Sequence, residues 1–190
     1  MDLEKARTTL FAQLRSVPGT EDIPLAQALG RVTAEPIYAQ ISLPPFPASA
    51  MDGYAVRRKD FDAAKPLRLI GQSLAGHPFD GTVTAGNCVR IFTGAVVPEG
   101  ADLIVLQERL AESAVGNDGS EIVRFEEHEP DEAFIRSIGN DVEQGQIICP
   151  AGEVLTPLLL GSLASAGVSM ISAVRKVRVG VYSGGDERRD

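Results

Sequence analysis

The chain has 190 residues, 44% hydrophobic and 23% charged, with a net charge of −8. That balance describes a soluble chain able to build a core and argues against a nucleic-acid-binding protein. No uninterrupted apolar run reaches bilayer-spanning length, and Met1–Lys5 lack a basic region followed by an apolar one, so neither membrane contact nor secretion is expected and the cytoplasm is the default compartment. Cys88 and Cys149 stand far apart in apolar, strand-like contexts without CxxC spacing, which predicts two buried thiols rather than a disulfide. An acidic protein that takes an anionic substrate needs a local cation, a bound metal or backbone N–H donors at its site.

Residues 2–15 predict an amphipathic helix with Leu3, Ala6, Leu10, Phe11 and Leu14 on one face, ended by Val17-Pro18-Gly19. A short second helix is expected from Pro24 to just before Gly30, burying Leu25, Ala28 and Leu29. Val32 to Ile41 reads as extended, with Pro36 restricting it to an edge or bend. Then comes Ser42-Leu43-Pro44-Pro45-Phe46-Pro47-Ala48-Ser49-Ala50-Met51-Asp52-Gly53-Tyr54-Ala55-Val56. Its prolines exclude helix and stiffen the chain, and Asp52-Gly53 suits a tight turn with positive φ. The bland reading is an Asp-Gly hairpin after a proline-rich linker. The functional one is a carboxylate, Asp52, held at the tip of a rigid, mostly apolar loop.

From there the pattern turns β-like. Leu67–Ile70, Thr82–Thr84, Cys88–Phe92, Leu103–Gln107 and Glu121–Phe125 are short candidate strands separated by turn signals, with a helical turn near Asp60–Lys65. This spacing suggests a small antiparallel barrel or sandwich. Past Phe134, Val142–Leu155 reads as a hairpin-like unit. Thr156-Pro157 opens a helix through Ala166 that Gly167 stops, and Met170–Val174 is a strand. Val177–Tyr182 reads as a strand buried on both faces, leading into Ser183-Gly184-Gly185-Asp186-Glu187. The expected fold class is mixed α+β: a β-rich, barrel-like domain over 42–136, inserted in an α/β framework made of 1–41 and 137–174. Residues 175–190 would open a further, truncated α/β domain.

Three other places carry possible chemistry. Thr93-Gly94 ends a strand, where a hydroxyl and exposed N–H groups can bind an oxyanion; an ordinary strand exit is the alternative. Asp141, after Ile138-Gly139-Asn140, either shares a cleft with Asp52 or is a solvated turn residue. Asp186 and Glu187 follow a Gly-rich turn. Glu126-Glu127-His128-Glu129 is better read as an acidic surface than as a metal site, His77 beside Pro78 has no evident partner, and Arg57-Arg58-Lys59 reads as a solvated run able to help attract an anion.

The proline-rich segment closely resembles the signature of the MoeA family, the molybdopterin molybdenumtransferases, whose eukaryotic relatives include the C-terminal domain of gephyrin. The block Thr93-Gly94…Pro98-Glu99-Gly100-Ala101-Asp102…Gln107-Glu108 is similar to the family's second block. Two departures stand out: Asn140 where the family usually has Glu, and Gly184 with Arg188 where it has Thr and a hydrophobic residue. The resemblance implies the N-terminal portion of an enzyme that inserts molybdenum from molybdate into adenylylated molybdopterin and releases AMP, with magnesium assisting. On that basis Asp52, Thr93 and Asp141 are expected to be catalytic. Thr93, Gly94, Ser183, Asp186 and Glu187 are expected to bind substrate, and Asp52, Asp141 and Glu187 to hold Mg²⁺. It implies a homodimer, a molybdopterin adenylyltransferase as a further partner, and negligible activity for residues 1–190 alone. A non-catalytic dimerising scaffold or binding module of the same fold is the alternative.

Overall fold

The computed structural model describes residues 2–14, 19–62, 65–116, 118–126 and 132–181. In chain order its elements are α1 (Leu3–Gln13), β1 (Thr20–Pro24), β2 (Ile37–Tyr38), β3 (Ala48–Ser49), β4 (Gly53–Val56), β5 (Leu67–Ser73), β6 (Asn87–Ile91), β7 (Leu103–Leu106), β8 (Leu110–Val115), β9 (Glu121–Phe125), β10 (Ile135–Arg136), β11 (Ile147–Cys149), α2 (Pro157–Ser165) and β12 (Met170–Val174). Single 3-10 turns cover Leu25–Gln27, Arg58–Asp60 and Gln107–Arg109. The architecture is mixed and strand-rich, with few helices. Among the described residues no helix is long and apolar enough to cross a membrane.

The chain forms two units, one of Met1–Gln40 with Gly145–Asp190 and one of Ile41–Gln144. The return crossing falls at Gln144–Gly145 instead of 136/137, and Leu43 gives the reason. Its N–H donates to the Val142 carbonyl at 2.8 Å and its carbonyl accepts from the Asp141 N–H at 2.9 Å. Residues 137–144 are thereby tied to the proline-rich entry segment, which contains a cis Leu43–Pro44 bond.

The inserted unit is built on one six-stranded sheet, ordered β7-β4-β6-β5-β9-β8. Its central strands are buried on both faces. Tyr54, Val56, Cys88, Leu103 and Val105 enter one apolar cluster with Leu67, Val123 and Phe125, while Ala55, Val89, Ile91 and Ile104 enter another with Val83 and Ala95. Two-sided burial explains why these strands read as continuous apolar runs without alternation. Cys88 sits wholly inside, where burial pushes its thiol up to about 12, and Cys149 is also free and buried. The sheet is not purely antiparallel, because β5 and β6 run parallel. The long connection over 74–86 carries the chain back to the starting end, as a parallel pair requires. Thr82–Thr84 contributes a single bridge, Thr82 to Glu99, in place of a strand. Strand β8 adds to those expected; its residues are exposed or half-buried at this edge, so they lack the apolar run that marks the others.

In the other unit, β1 and β12 pair antiparallel from Thr20↔Val174 to Pro24↔Met170. They cover a core of Ile23, Leu25, Ala28, Ile37, Cys149, Leu155, Leu163, Val168, Ile171 and Ala173. The helix expected from Pro24 is a strand end followed by one 3-10 turn: Leu25 N–H donates to Ser169 O at 2.9 Å, which keeps the chain on the sheet, and Leu29 is left exposed. Residues 142–155 do not fold on themselves as a hairpin; β11 pairs instead with the distant β2, Ile147 opposite Tyr38. Helix α2 starts as read, with Thr156 Oγ1 accepting the Leu159 N–H at 3.3 Å and Pro157 in the first turn. Helix α1 also forms, yet buries none of its residues. Residues 177–181 are exposed and form no strand, so the two-sided burial read there is absent. Tyr182 and everything after it lie outside the described residues.

Candidate functional site

Asp52 precedes β4, and Thr93 follows β6, its antiparallel neighbour. Strand pairing of Gly53 with Ile91 therefore brings the two residues together. Asp52 Oδ1 accepts two hydrogen bonds, from the Thr93 N–H at 2.7 Å and the Thr93 hydroxyl at 2.8 Å. Both stabilise the charged carboxylate. These Thr93 bonds, backbone first, with a smaller contribution from the nearby Arg90 guanidinium, hold the Asp52 carboxyl below the usual carboxylate range. Oδ2 accepts no hydrogen bond from a described residue and is left for another partner.

Gly53 plays a part other than the one expected of it. It lies in a strand, and its φ is not among the positive ones. A Cβ at this position would fall 2.1 Å from the Val105 carbonyl oxygen. Glycine is needed here because β7 passes so close, not because the chain turns. Asp52 thus stands at the mouth of a central strand, fixed by the Gln107 N–H on its carbonyl at 3.1 Å.

The N–H groups of the following loop are engaged internally. Thr93 N–H goes to Asp52, Gly94 N–H to Ser49 O at 2.9 Å, and Ala95 N–H to Phe92 O at 2.9 Å. Gly94 has φ +80°, which closes this turn onto β3. The loop so arranged presents a carboxylate buttressed by its own donors instead of an open cradle of N–H groups.

Asp141 is exposed and belongs to the same unit. Its Oδ2 pairs with Arg136 on β10, and Asn140 Nδ2 stands 3.4 Å from its Oδ1. Those two neighbours, Arg136 first, lower its pKa. β10 pairs with β3 through Arg136↔Ala48 and Ile135↔Ser49, and Ser49 in turn holds Gly94. Thus the Asp52–Thr93 pair and the Arg136–Asp141 pair are both tied to β3, but no hydrogen bond or ion pair joins Asp141 to Asp52. Ser183, Asp186 and Glu187 lie outside the described residues, as do Glu127, His128 and Glu129.

Among the described residues no group of three His, Cys, Asp or Glu side chains is gathered to hold a metal. A cage made wholly of protein ligands is therefore not what these residues offer. Magnesium more often uses one or two carboxylates and completes its octahedron with water and substrate phosphates. Oδ2 of Asp52, which Thr93 does not occupy, fits that mode, whereas Oδ2 of Asp141 is already paired with Arg136.

Sequence reasoning missed Arg90 and Gln107. Arg90 donates through Nη1 to Gly53 O at 2.6 Å and Ile91 O at 3.0 Å, and through Nη2 to Gln107 Oε1 at 2.5 Å. Its guanidinium lies over the Phe92 and Tyr54 rings, 4.4 and 5.2 Å from their centroids. The signal was available: a lone cation inside the apolar run Val89-Arg90-Ile91-Phe92.

The family profile of the MoeA N-terminal region, domains I and II, matches residues 1–167. The chain belongs to the MoeA family. It is 39% identical over 187 residues to the molybdopterin molybdenumtransferase of Haemophilus influenzae, covering 98% of this chain and 45% of that protein. A molybdopterin molybdenumtransferase of Nostoc sp. is 32% identical over 183 residues, with 94% and 41% covered. The crystal structure of a molybdopterin biosynthesis MoeA protein from Pyrococcus horikoshii superposes with a TM-score of 0.73 at 31% identity, over 93% of this chain and 44% of that one. The chain thus spans less than half the length of these MoeA relatives.

Proposed function

We propose that this chain is the MoeA N-terminal region of a molybdopterin molybdenumtransferase, acting in molybdenum cofactor biosynthesis on molybdate and adenylylated molybdopterin with release of AMP. The observation that supports this reading best is the Asp52–Thr93 pair: an ionised carboxylate with one oxygen held by two donors and the other not taken up by Thr93. Oδ2 of Asp52 would hold Mg²⁺, joined by Asp141 and by Glu187. When bound, the ion offsets phosphate charge and polarises the phosphoryl oxygen of the adenylate. Thr93 keeps the Asp52 carboxylate ionised and aimed, and its hydroxyl reaches an incoming oxyanion only by turning from Asp52. Gly94, with no side chain, leaves room for that oxyanion beside the turn. Ser183 and Asp186 would contact the pterin substrate. The adenylylated pterin has to be supplied by an adenylyl-transferring partner. The net charge of −8 is thereby compatible with anionic substrates, because a bound divalent cation reverses the local field.

The test is AMP release from adenylylated molybdopterin, measured with and without molybdate and Mg²⁺. A protein carrying this sequence together with the remaining length of the relatives is expected to release AMP only when both are present, and residues 1–190 alone are expected to release negligible amounts. Release independent of molybdate would overturn the reading.

A homodimer is the second part of the proposal, and α1 supports it. Leu3, Leu10 and Phe11 on α1, and Leu14 directly past its end, are 78, 65, 60 and 69% exposed. Such a group of exposed apolar side chains normally packs against something. In sedimentation velocity the double variant Leu10→Glu, Phe11→Glu is expected to shift the chain from dimer to monomer; an unchanged distribution would remove α1 from the contact.

A further inference from the structure

Arg90 makes more contacts around Asp52 than any role assigned so far uses. Its Nη1 grips the carbonyl of Gly53, the residue directly after Asp52, and the carbonyl of Ile91 on its own strand. Its Nη2 grips Gln107, whose backbone N–H holds the carbonyl of Asp52 itself. The chain leaving the strand that carries Arg90 passes through Phe92 to Thr93. One guanidinium therefore ties together the three pieces of backbone that carry the Asp52–Thr93 pair: the start of β4, the end of β6 and the exit of β7. The planar fork can do this because its donors diverge at fixed angles. The Tyr54 and Phe92 rings on which it lies restrict it to that plane.

We infer that Arg90 is a positioning residue that sets the Asp52–Thr93 geometry, holding Thr93 against Oδ1 so that Oδ2 is left to another partner. A lysine carries all its donors on one nitrogen and cannot span acceptors that Arg90 reaches from two, so charge alone would not replace it. The inference rests on Asp52 and Thr93 being the working groups of the site, but its test needs neither magnesium nor pterin, so it can fail while that reading stands, and the reverse.

The readout is amide hydrogen exchange and the proton shift of the Thr93 N–H in the 190-residue chain, with Val89 and Ile104 as core controls. In Arg90→Gln and in Arg90→Lys the Thr93 amide is expected to exchange about tenfold faster or more, and to lose the downfield shift of a bond to a carboxylate, while the controls hold. A Thr93 amide unchanged in Arg90→Gln overturns the inference. So does full protection in Arg90→Lys, because the charge would then suffice without the fork. If Arg90→Gln loses protection throughout, Gln107→Met decides, since it removes only one acceptor. Faster exchange confined to Thr93 supports positioning, and no change at Thr93 overturns it.

Discussion

Replacing Gly53 with alanine is expected to unfold the inserted unit, with a loss of about 3 kcal/mol or more and a fall in melting temperature of roughly 10 °C or more. The added Cβ would lie 2.1 Å from Val105 O, 2.9 Å from Val105 C and 3.1 Å from Ile104 Cγ2. Two of those atoms are backbone, which no rotamer change can move aside. Gly53 pairs with Ile91 on one side and Leu106 on the other, so relief requires β7 to peel from its place beside β4. That would carry away Leu103 and Ile104, both fully buried. Gly161 supplies the control. It sits within α2, where an added Cβ would meet nothing within 4 Å and φ is not positive, so Gly161→Ala should stabilise by about 0.5–1 kcal/mol. The same chemical change is thus expected to have opposite signs at the two positions, read by thermal denaturation. Equal melting temperatures for the two variants would show that the close approach of β7 is not what requires glycine at 53.

Asp52→Asn is expected to lower molybdate-dependent AMP release about a hundredfold or more in the protein carrying the relatives' full length. The asparagine keeps the shape, and its Oδ1 can still accept from Thr93. What changes is the other atom, where an NH₂ group replaces an anionic oxygen and repels a cation. Folding should be nearly unaffected. The Thr93 bonds weaken because one partner is no longer charged, but the pair lies at the protein surface. The acid limb follows from the direction of the shift. The folded-state pKa of Asp52 is lowered by Thr93 and Arg90, so the carboxylate and its bonds are complete above the unfolded value, about 3.9. Their contribution to stability is lost as pH falls through the lower folded value. Between about pH 5 and 8, therefore, Asp52 contributes no titration to the rate, and Asp52→Asn should scale the pH profile down without moving its limbs. Activity near that of the parent would remove Asp52 from the cation role.

The chemistry-bearing residues were legible where local rules and residue type coincide. Thr156-Pro157 marked the start of α2 because a cap is a short-range bond between a side chain and the N–H three residues on. The apolar runs around Cys88 and Leu103 marked strands because two-sided burial leaves no polar alternation to hide them, and the run around Val123 did so through the alternation of a strand with one buried face. The proline-braced segment and the Thr93 block resembled the family to which the chain belongs. Asp52-Gly53 shows where this kind of reading stops. The dipeptide has the composition of a turn, and only the neighbouring strand at Val105 makes it a tight crossing. Helix α1 shows the same limit in reverse: its periodicity is sound, but periodicity says that a face is apolar and not that anything covers it.

Residue order alone therefore accounts for the caps, the apolar strands and the family, since each depends on neighbours within a few positions or on motif identity. The meeting of Asp52 with Thr93, the reach of Arg90 to Gly53 and Gln107, and the parallel course of β5 and β6 all depend on which strands lie side by side. Strand adjacency is set by burying two apolar faces at once, a condition on the whole sheet that no local window contains.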